Sequence, residues 1–353
     1  MRIAFVGPPQ SGKTTLFRAV TGQTAPPPVM GEHLAVVKVP DERLLWLEKL
    51  YKPRKRVEAT IECLDVPGFS HETPALQAEF RKSLPSIRKC QALVAVVRAF
   101  DNPAVPAYRG RVDPEADLAE LLTELIFCDL ETVTVRVERI EKSLKKPTRH
   151  HEQEKRELEL MLRCQAELEA GRPLAGAIRG EEDRKALASY AFLTELPLIV
   201  VVNVDEDRAS APPPLQAAHA RATIALCAET EEQIAELEPA DRAAFLRDLG
   251  VQEPARDRLI RCCYQAVGLI SFLTVGEDEV RAWPIREGTE AVEAAGKIHT
   301  DIARGFIKAE TVAYEDLRAA GDIKAARATG KVRLEGKNYV VRDGDIINFK
   351  FNL

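Results

Sequence analysis

Two glycines, a lysine and two threonines near the start of the chain have the spacing of a phosphate-binding loop: Gly7-Pro8-Pro9-Gln10-Ser11-Gly12-Lys13-Thr14-Thr15. In a Gly-x-x-x-x-Gly-Lys-Thr segment the glycines let the backbone adopt conformations that a Cβ would resist. Amides from Gly7 to Thr15 can then turn inward on the phosphates of a nucleotide, helped by the positive end of the helix that follows. Lys13 would reach the β- and γ-phosphates, and the Thr14 hydroxyl would ligate Mg²⁺. Such a loop needs a buried strand before it and a helix after it. The run Ile3 to Val6 supplies the strand, and Leu16, Phe17 and Val20 supply a helical pattern that ends at Gly22.

A second chemical stretch is Asp65-Val-Pro-Gly68, delivered by an expected strand, Thr60 to Leu64. A carboxylate at a strand's end suits an outer-shell hold on Mg²⁺, and the Gly68 amide can sense a γ-phosphate. Lys13, Thr14, Asp65 and Gly68 are therefore the candidate catalytic set, with Thr14 and Asp65 as the metal pair. Phe69 stands where Ras-like enzymes keep a glutamine that orients the attacking water. A phenyl ring cannot do that, so either another group positions the water or hydrolysis is slow. His71 is the histidine nearest the expected γ-phosphate. Thr24, in a proline-rich loop up to Gly31, is either a solvated loop residue or a metal contact.

The third stretch would read the base. Pro197 to Val202 is an apolar strand that ends in Asn203-Val204-Asp205-Glu206. GTP-binding proteins carry Asn-Lys-x-Asp here, and the aspartate accepts two hydrogen bonds from guanine. Valine in place of lysine and a longer glutamate in place of aspartate disturb that contact. A site built to hydrogen-bond one base discriminates by about 10⁴ or more, so losing the geometry loses the guanine preference. Adenine is then expected to be tolerated and preferred, which makes ATP the expected ligand. Cys227 and Ala228 follow the last strand, Thr223 to Leu226, where backbone amides usually cap the base.

Around these stretches the pattern is α/β. Ala35 to Val39 and the fully apolar Ala92 to Val97 read as further strands, the latter buried on both faces as in a mostly parallel sheet. From Pro114 the apolar residues Leu122, Ile126, Val133, Val137, Ile140 and Leu144 recur at helical steps, and Leu158, Leu162 and Leu168 continue after a break at Pro147. Together they predict an inserted α-helical coiled-coil hairpin. Its basic tip, from Lys145 to Arg156, is either solvated or partner-binding. Beyond Ser271, short strands at Val280 to Ile285, Thr311 to Tyr314, Tyr339 to Val341 and Ile346 to Phe351, with a helix from Ala291 to His299, suggest a small β-grasp module. The expected divisions are 1–113 and 196–270 for the nucleotide-binding domain, 114–195 for the hairpin and 271–353 for the C-terminal domain.

Composition narrows the function classes. The 353 residues are 45% hydrophobic and 30% charged, with a formal net charge of −5. Nothing global points to a nucleic-acid binder, so no specific DNA partner is expected, although a local basic face stays open. No apolar run reaches membrane-spanning length, and the chain enters a strand at once, without room for a signal peptide. Seven cysteines without metal-ligand spacing read as reduced thiols of a cytoplasmic protein.

These residues together resemble the YchF family, the Obg-related P-loop ATPases. The most specific stretches are Asn203 to Glu206 and a C-terminal tail that includes Glu279-Val-Arg-Ala-Trp-Pro-Ile, Ala294 to Asp301, Gly305 to Ala309 and Arg333 to Asp345. The resemblance implies that the β-grasp module is a TGS domain, that ATP is hydrolysed slowly, and that ribosomes or ribosomal RNA are partners. Family members keep a hydrophobic residue where Phe69 stands. This chain departs from the family pattern at Gln10 and Ser11, which replace Asn-Val and put a monovalent-cation requirement in question. It departs again at Val29, in place of the switch threonine, and in the loop from Asp101 to Arg111, which lacks a histidine. Three readings follow: a slow ATPase switch, a nucleotide-sensing binding module with little turnover, or a GTPase.

Overall fold

The computed structural model describes residues 1–23, 31–145, 151–174, 177–209, 213–248 and 250–352. Thr24, Val29 and residues 146–150 of the hairpin tip lie outside the described residues. Contacts divide the chain into two units, Met1–Ala35 with Glu62–Arg256, and Val36–Ile61 with Asp257–Leu353.

The first unit begins with β1 (Arg2–Val6) and α1 (Lys13–Thr21), which Gly22 closes in the left-handed region. β2 (His33–Lys38), α2 (Glu42–Tyr51) and β3 (Lys55–Val57) follow, and then β4 (Thr60–Asp65), α3 (Pro74–Ile87) and β5 (Ala92–Ala99). The hairpin is α4 (Pro114–Leu144) and α5 (His151–Glu169), followed by α6 (Glu181–Leu187). β6 (Leu198–Val204), β7 (Ala220–Leu226), α7 (Ala228–Glu236) and α8 (Pro239–Asp248) complete this part, and α9 (Ala255–Ala266) lies almost wholly in the second unit. The sheet runs β2-β4-β1-β5-β6-β7. β1 pairs in parallel with β4 and β5, and β6 pairs in parallel with β5 and β7. Every residue of β5 and of β6 is buried, which explains their apolar sequences, broken only by Arg98 and Asn203. Each such side chain contributes about 1.5–3 kcal/mol relative to exposure.

α4 serves two cores. Its first half lays Leu118, Leu121, Leu125 and Cys128 on the sheet beside Phe80 and Ile87 of α3. Its second half packs Val133, Val137 and Ile140 against Leu160, Met161 and Cys164 of α5. Across the two antiparallel helices Arg136 Nη2 meets Glu157 Oε2 at 2.8 Å, and Ser143 Oγ donates to Glu154 at 2.9 Å. Burial pushes the thiols of Cys63, Cys90 and Cys128 up to about 12, which makes them poor nucleophiles near neutral pH.

The second unit contains β8 (Leu269–Val275), β9 (Glu279–Arg286), α10 (Ala291–Ile298), α11 (Thr300–Arg304), β10 (Phe306–Ala313), α12 (Tyr314–Ala320), α13 (Ile323–Ala328), β11 (Arg333–Glu335) and β12 (Asp345–Phe351). Its sheet is ordered β11-β10-β12-β8-β9-β3, and α10 covers one face through Ala291, Ala294 and Ala295. The segment carrying α2 and β3 folds here: β3 runs parallel to β9, and Arg43 of α2 donates to Asp343 at 2.8 Å. His299 caps α11, its Nδ1 accepting the Asp301 N–H at 3.2 Å, and Trp283 stacks on Phe272. Two expected strands differ. Tyr314 begins α12, and Tyr339 to Val341 carries only a single bridge, Val340 to Glu290. The β-branched residues that suggested a strand end at Val312, and Glu315 and Asp316 then supply an acidic first helical turn.

Candidate functional site

β1 ends at Val6 in the middle of the sheet, and the loop from Gly7 to Gly12 rises from its carboxyl end. Ligands of open α/β sheets bind at such ends. Gly12 has φ 84°, and a Cβ there would sit 2.0 Å from Asn203 Nδ2. Gln10 also lies in the left-handed region, at φ 60°. Asparagine tolerates this region better than glutamine does, so the loop keeps its path here with less local support.

Lys13 opens α1, and no side chain caps the helix. Its first amides are therefore free of the usual local acceptor and face the loop, the arrangement that attracts phosphate. Ser11 Oγ is buried and has no hydrogen-bond partner among the described residues. An orphaned hydroxyl in this loop suits a phosphate oxygen.

β4 brings Asp65 alongside. Lys13 Nζ donates to Asp65 Oδ1 at 2.8 Å and to the Val66 carbonyl at 2.5 Å, while Thr14 Oγ1 donates to Asp65 Oδ2 at 2.9 Å. Lys13, Thr14 and Asp65 are thus one cluster, Lys13 and Asp65 buried and Thr14 half-buried, and the Val66 carbonyl is a member that the sequence motif did not name. Gly68 runs so close to the loop that a Cβ would lie 2.8 Å from Pro9 N. The next amide, Phe69 N–H, donates to the Gly7 carbonyl at 3.0 Å. The Phe69 ring turns away from the loop into the core, fully buried, edge-on to Phe80 at 5.7 Å. Phe69 therefore anchors the segment after Gly68 and does not face an attacking water. His71 stacks edge-on against it at 4.9 Å and extends toward Glu124, with 3.5 Å between Nε2 and Oε2.

The base end is organised by Asn203. Its Nδ2 donates to the Ser11 carbonyl at 3.0 Å, and its Oδ1 accepts the Ala228 N–H at 2.9 Å. One side chain thus ties the phosphate loop to the loop after β7, and the Ala228 amide is already taken by it. Val204 is 1% exposed and packs in the sheet core beside Val97 and Val202, so its side chain supports the strand. Glu206 starts an exposed turn, and Asp205 Oδ2 accepts the Asp101 N–H at 3.4 Å. Cys227 stands at the head of α7, half-buried. The sequence did not single out Arg98 of β5. It is buried, donates to the carbonyls of Phe100, Val105 and Pro106, and lies over the Phe100 ring at 4.3 Å. Its signal was a lone arginine one residue beyond a run of six apolar residues.

Comparison with known proteins agrees with this geometry. Residues 269–352 match the family model YchF-GTPase_C, described as "Protein of unknown function (DUF933)", and residues 2–135 match the model "50S ribosome-binding GTPase". The chain is 39% identical over 362 residues to the "Ribosome-binding ATPase YchF" of Bacillus subtilis, covering 99% of this chain and 98% of that protein. It is 36% identical to "Obg-like ATPase 1" of Oryza sativa subsp. japonica, covering 100% of this chain and 92% of the relative. The solved Schizosaccharomyces pombe YchF GTPase superposes with a TM-score of 0.85 at 30% identity, covering 99% of this chain and 97% of that one.

Proposed function

This chain belongs to the YchF family, and on that premise we propose that it is a Mg²⁺-dependent P-loop ATPase that hydrolyses ATP slowly and works with ribosomes in the cytoplasm. The observation that carries the reading is the cluster of buried Lys13 and Asp65 with half-buried Thr14, beside an uncapped helix start and an orphaned Ser11 hydroxyl.

Pro8 to Thr15 wrap the phosphates, with Lys13 exchanging Asp65 for phosphate oxygens. Thr14 and Asp65 fit Mg²⁺, a hard cation that takes oxygen ligands. When bound, Mg²⁺ neutralises charge on the β- and γ-phosphate oxygens. Gly68 contacts the γ-phosphate through its amide. Asn203 holds the two loops that flank the base, and Asp205, Glu206 and Cys227 line its edge. Glu206 in place of aspartate favours adenine over guanine. With Phe69 buried, no side chain at that position orients water, which is consistent with slow turnover.

Ribosomal RNA is the partner chemistry that the second unit accommodates. Lys308 of β10 and Lys350 of β12 stand directly opposite each other on an exposed part of its sheet. Lys350 pairs with Glu310 at 3.6 Å, so Lys308 is the charge on this part of the sheet that a phosphate backbone would meet.

The test is ATP and GTP affinity by calorimetry and single-turnover hydrolysis, with and without ribosomes and potassium. ATP binding at least about tenfold tighter than GTP, with turnover well below the ordinary median near 10 s⁻¹, is expected. Tight GTP binding without ATP binding would overturn the base assignment. Binding without hydrolysis under every condition would favour the second reading, a nucleotide-sensing module, which the burial of Phe69 supports.

A further inference from the structure

Glu124 lies on α4, 1% exposed, among Leu121, Leu125 and Cys128 of the core that α4 shares with the sheet. Burying a carboxylate costs several kcal/mol unless it is well paired. Glu124 is approached but weakly bonded. His71 Nε2 is 3.5 Å from Oε2, Arg81 Nε is 3.6 Å from Oε1, and the Cys128 thiol donates to Oε1 at 3.8 Å. Arg81 Nε is itself buried and donates no hydrogen bond among the described residues. A charge-assisted bond sits at ~2.8 Å, so Arg81 Nε stands roughly 0.8 Å short of one to Glu124, while its Nη1 bonds Glu131 at 3.1 Å.

Both partners belong to the segment that follows Gly68. His71 packs on Phe69, whose N–H is bonded to the Gly7 carbonyl, and Arg81 is on α3. A second tie runs in parallel: the His71 N–H donates to Tyr108 Oη at 3.5 Å, and Tyr108 Oη donates to Glu120 of α4 at 3.1 Å. The segment that touches the phosphate loop at one end thus reaches the root of the hairpin at the other. From Glu124 to Leu144 the helix extends ~30 Å, so a tilt of about 5° at the root displaces its end by roughly 2.6 Å.

We propose that Glu124 is a positioning residue that couples the segment after Gly68 to α4. An underbonded buried carboxylate with an unpaired guanidinium nitrogen beside it has a second arrangement available, in which His71 and Arg81 close onto it. Contact of the γ-phosphate with Gly68 selects between the two, and α4 carries the difference to α5. This inference rests on the nucleotide-switch reading above and deepens it.

The experiment is hydrogen–deuterium exchange on the full chain with and without ATP and Mg²⁺. In the unmodified protein, ATP protects the peptide containing Gly7 to Thr15 and changes exchange across residues 121–140 at least threefold. Glu124→Gln keeps the shape and removes the charge. It binds ATP within twofold of the unmodified protein and keeps the phosphate-loop protection, but loses the response in residues 121–140. His71→Ala, at a loop position, gives the same selective loss if the helix variant does not fold. Glu138→Gln, exposed on the same helix, keeps the response. Retention of the α4 response in Glu124→Gln would overturn the coupling, as would phosphate-loop protection without any α4 response in the unmodified protein. No phosphate-loop protection in the unmodified protein would overturn the nucleotide reading, and this inference with it.

Discussion

In the phosphate cradle Lys13 and Asp65 meet at 2.8 Å, and Thr14 and the Val66 carbonyl complete the set. At the root of α4, His71 Nε2 stops 3.5 Å and Arg81 Nε 3.6 Å from the Glu124 carboxylate, and burial raises the Asp117 carboxyl to about 6. Both regions bury charge, but the cradle matches it throughout, whereas at the helix root Asp129 is satisfied by Arg88 and the Leu193 and Thr194 amides while Glu124 and Asp117 are matched less well. Matched charges are ready to be exchanged for those of a ligand of the same chemistry. Mismatched ones store a cost that a rearrangement can relieve. On the proposed function, the contrast separates residues that would hold a nucleotide from residues that would position the protein around it.

The largest expected effect tests the matched side. Lys13→Ala should abolish ATP binding, by at least about a hundredfold in Kd, measured by titration calorimetry. It should also lower thermal stability, because Asp65 is then a buried carboxylate without its cation, a loss of about 3–5 kcal/mol. An unchanged Tm would mean that Asp65 is solvated, and the contrast with α4 would fail.

Asn203→Ala comes next. It leaves the Ser11 carbonyl and the Ala228 N–H without their partner, at about 1–3 kcal/mol each. Nucleotide affinity should fall roughly 10- to 100-fold for ATP and GTP alike, because the loss is in the frame and not in the reading of a base. A loss confined to one nucleotide would show that Asn203 touches the base directly.

Glu206→Asp should act on selectivity alone. It lies on an exposed turn, so Tm should stay unchanged while the ATP-to-GTP affinity ratio moves roughly three- to tenfold toward GTP. Adding Val204→Lys, which would complete the guanine-type motif, carries a separate cost. That side chain is 1% exposed in the sheet core, and the double variant should lose roughly 3–6 °C in Tm.

That cost shows where sequence reading ended. The strand, loop and helix around Gly7 to Thr14 were legible because their signals are local: an apolar run, two glycines at fixed offsets and a helical pattern. Asp65 to Gly68 and Asn203 to Glu206 were legible from their place after apolar strands. The direction of the Val204 and Phe69 side chains was not, because facing core or ligand depends on strand register and twist. Nor was the pairing of β3 with β9, which joins Lys55 to Glu279 across the whole nucleotide domain. Helix α3 was hidden by Pro85, which sits inside its last turn, and by the polar stretch that precedes it. Glu124 left one trace, an acidic residue between the apolar positions Leu121 and Cys128 of a helical stripe that also buries Asp117 and Asp129.

The smallest effect tests the mismatched side through pH. Asp117 of α4 has its carboxyl pushed up to about 6 from 3.8, chiefly by burial; Arg111 opposes the shift, and Asp113 and Glu120 add to it. A folded-state value above the unfolded one means that the native protein binds the proton more tightly. The associated stability is present in full below about pH 4 and is lost as pH rises through about 6. Above that range the native state holds an ionised carboxylate that it disfavours. Asp117→Asn removes the ionisation and leaves the half-exposed Arg111 to solvent. Its Tm should therefore exceed that of the unmodified protein at pH 7.5 by a few degrees, and the difference should vanish near pH 4. A variant destabilised at pH 7.5 and equal at pH 4 would show that the Arg111 pair at 3.2 Å outweighs the burial. The root of α4 would then be matched, like the cradle, at this position, and the mismatch would be confined to Glu124.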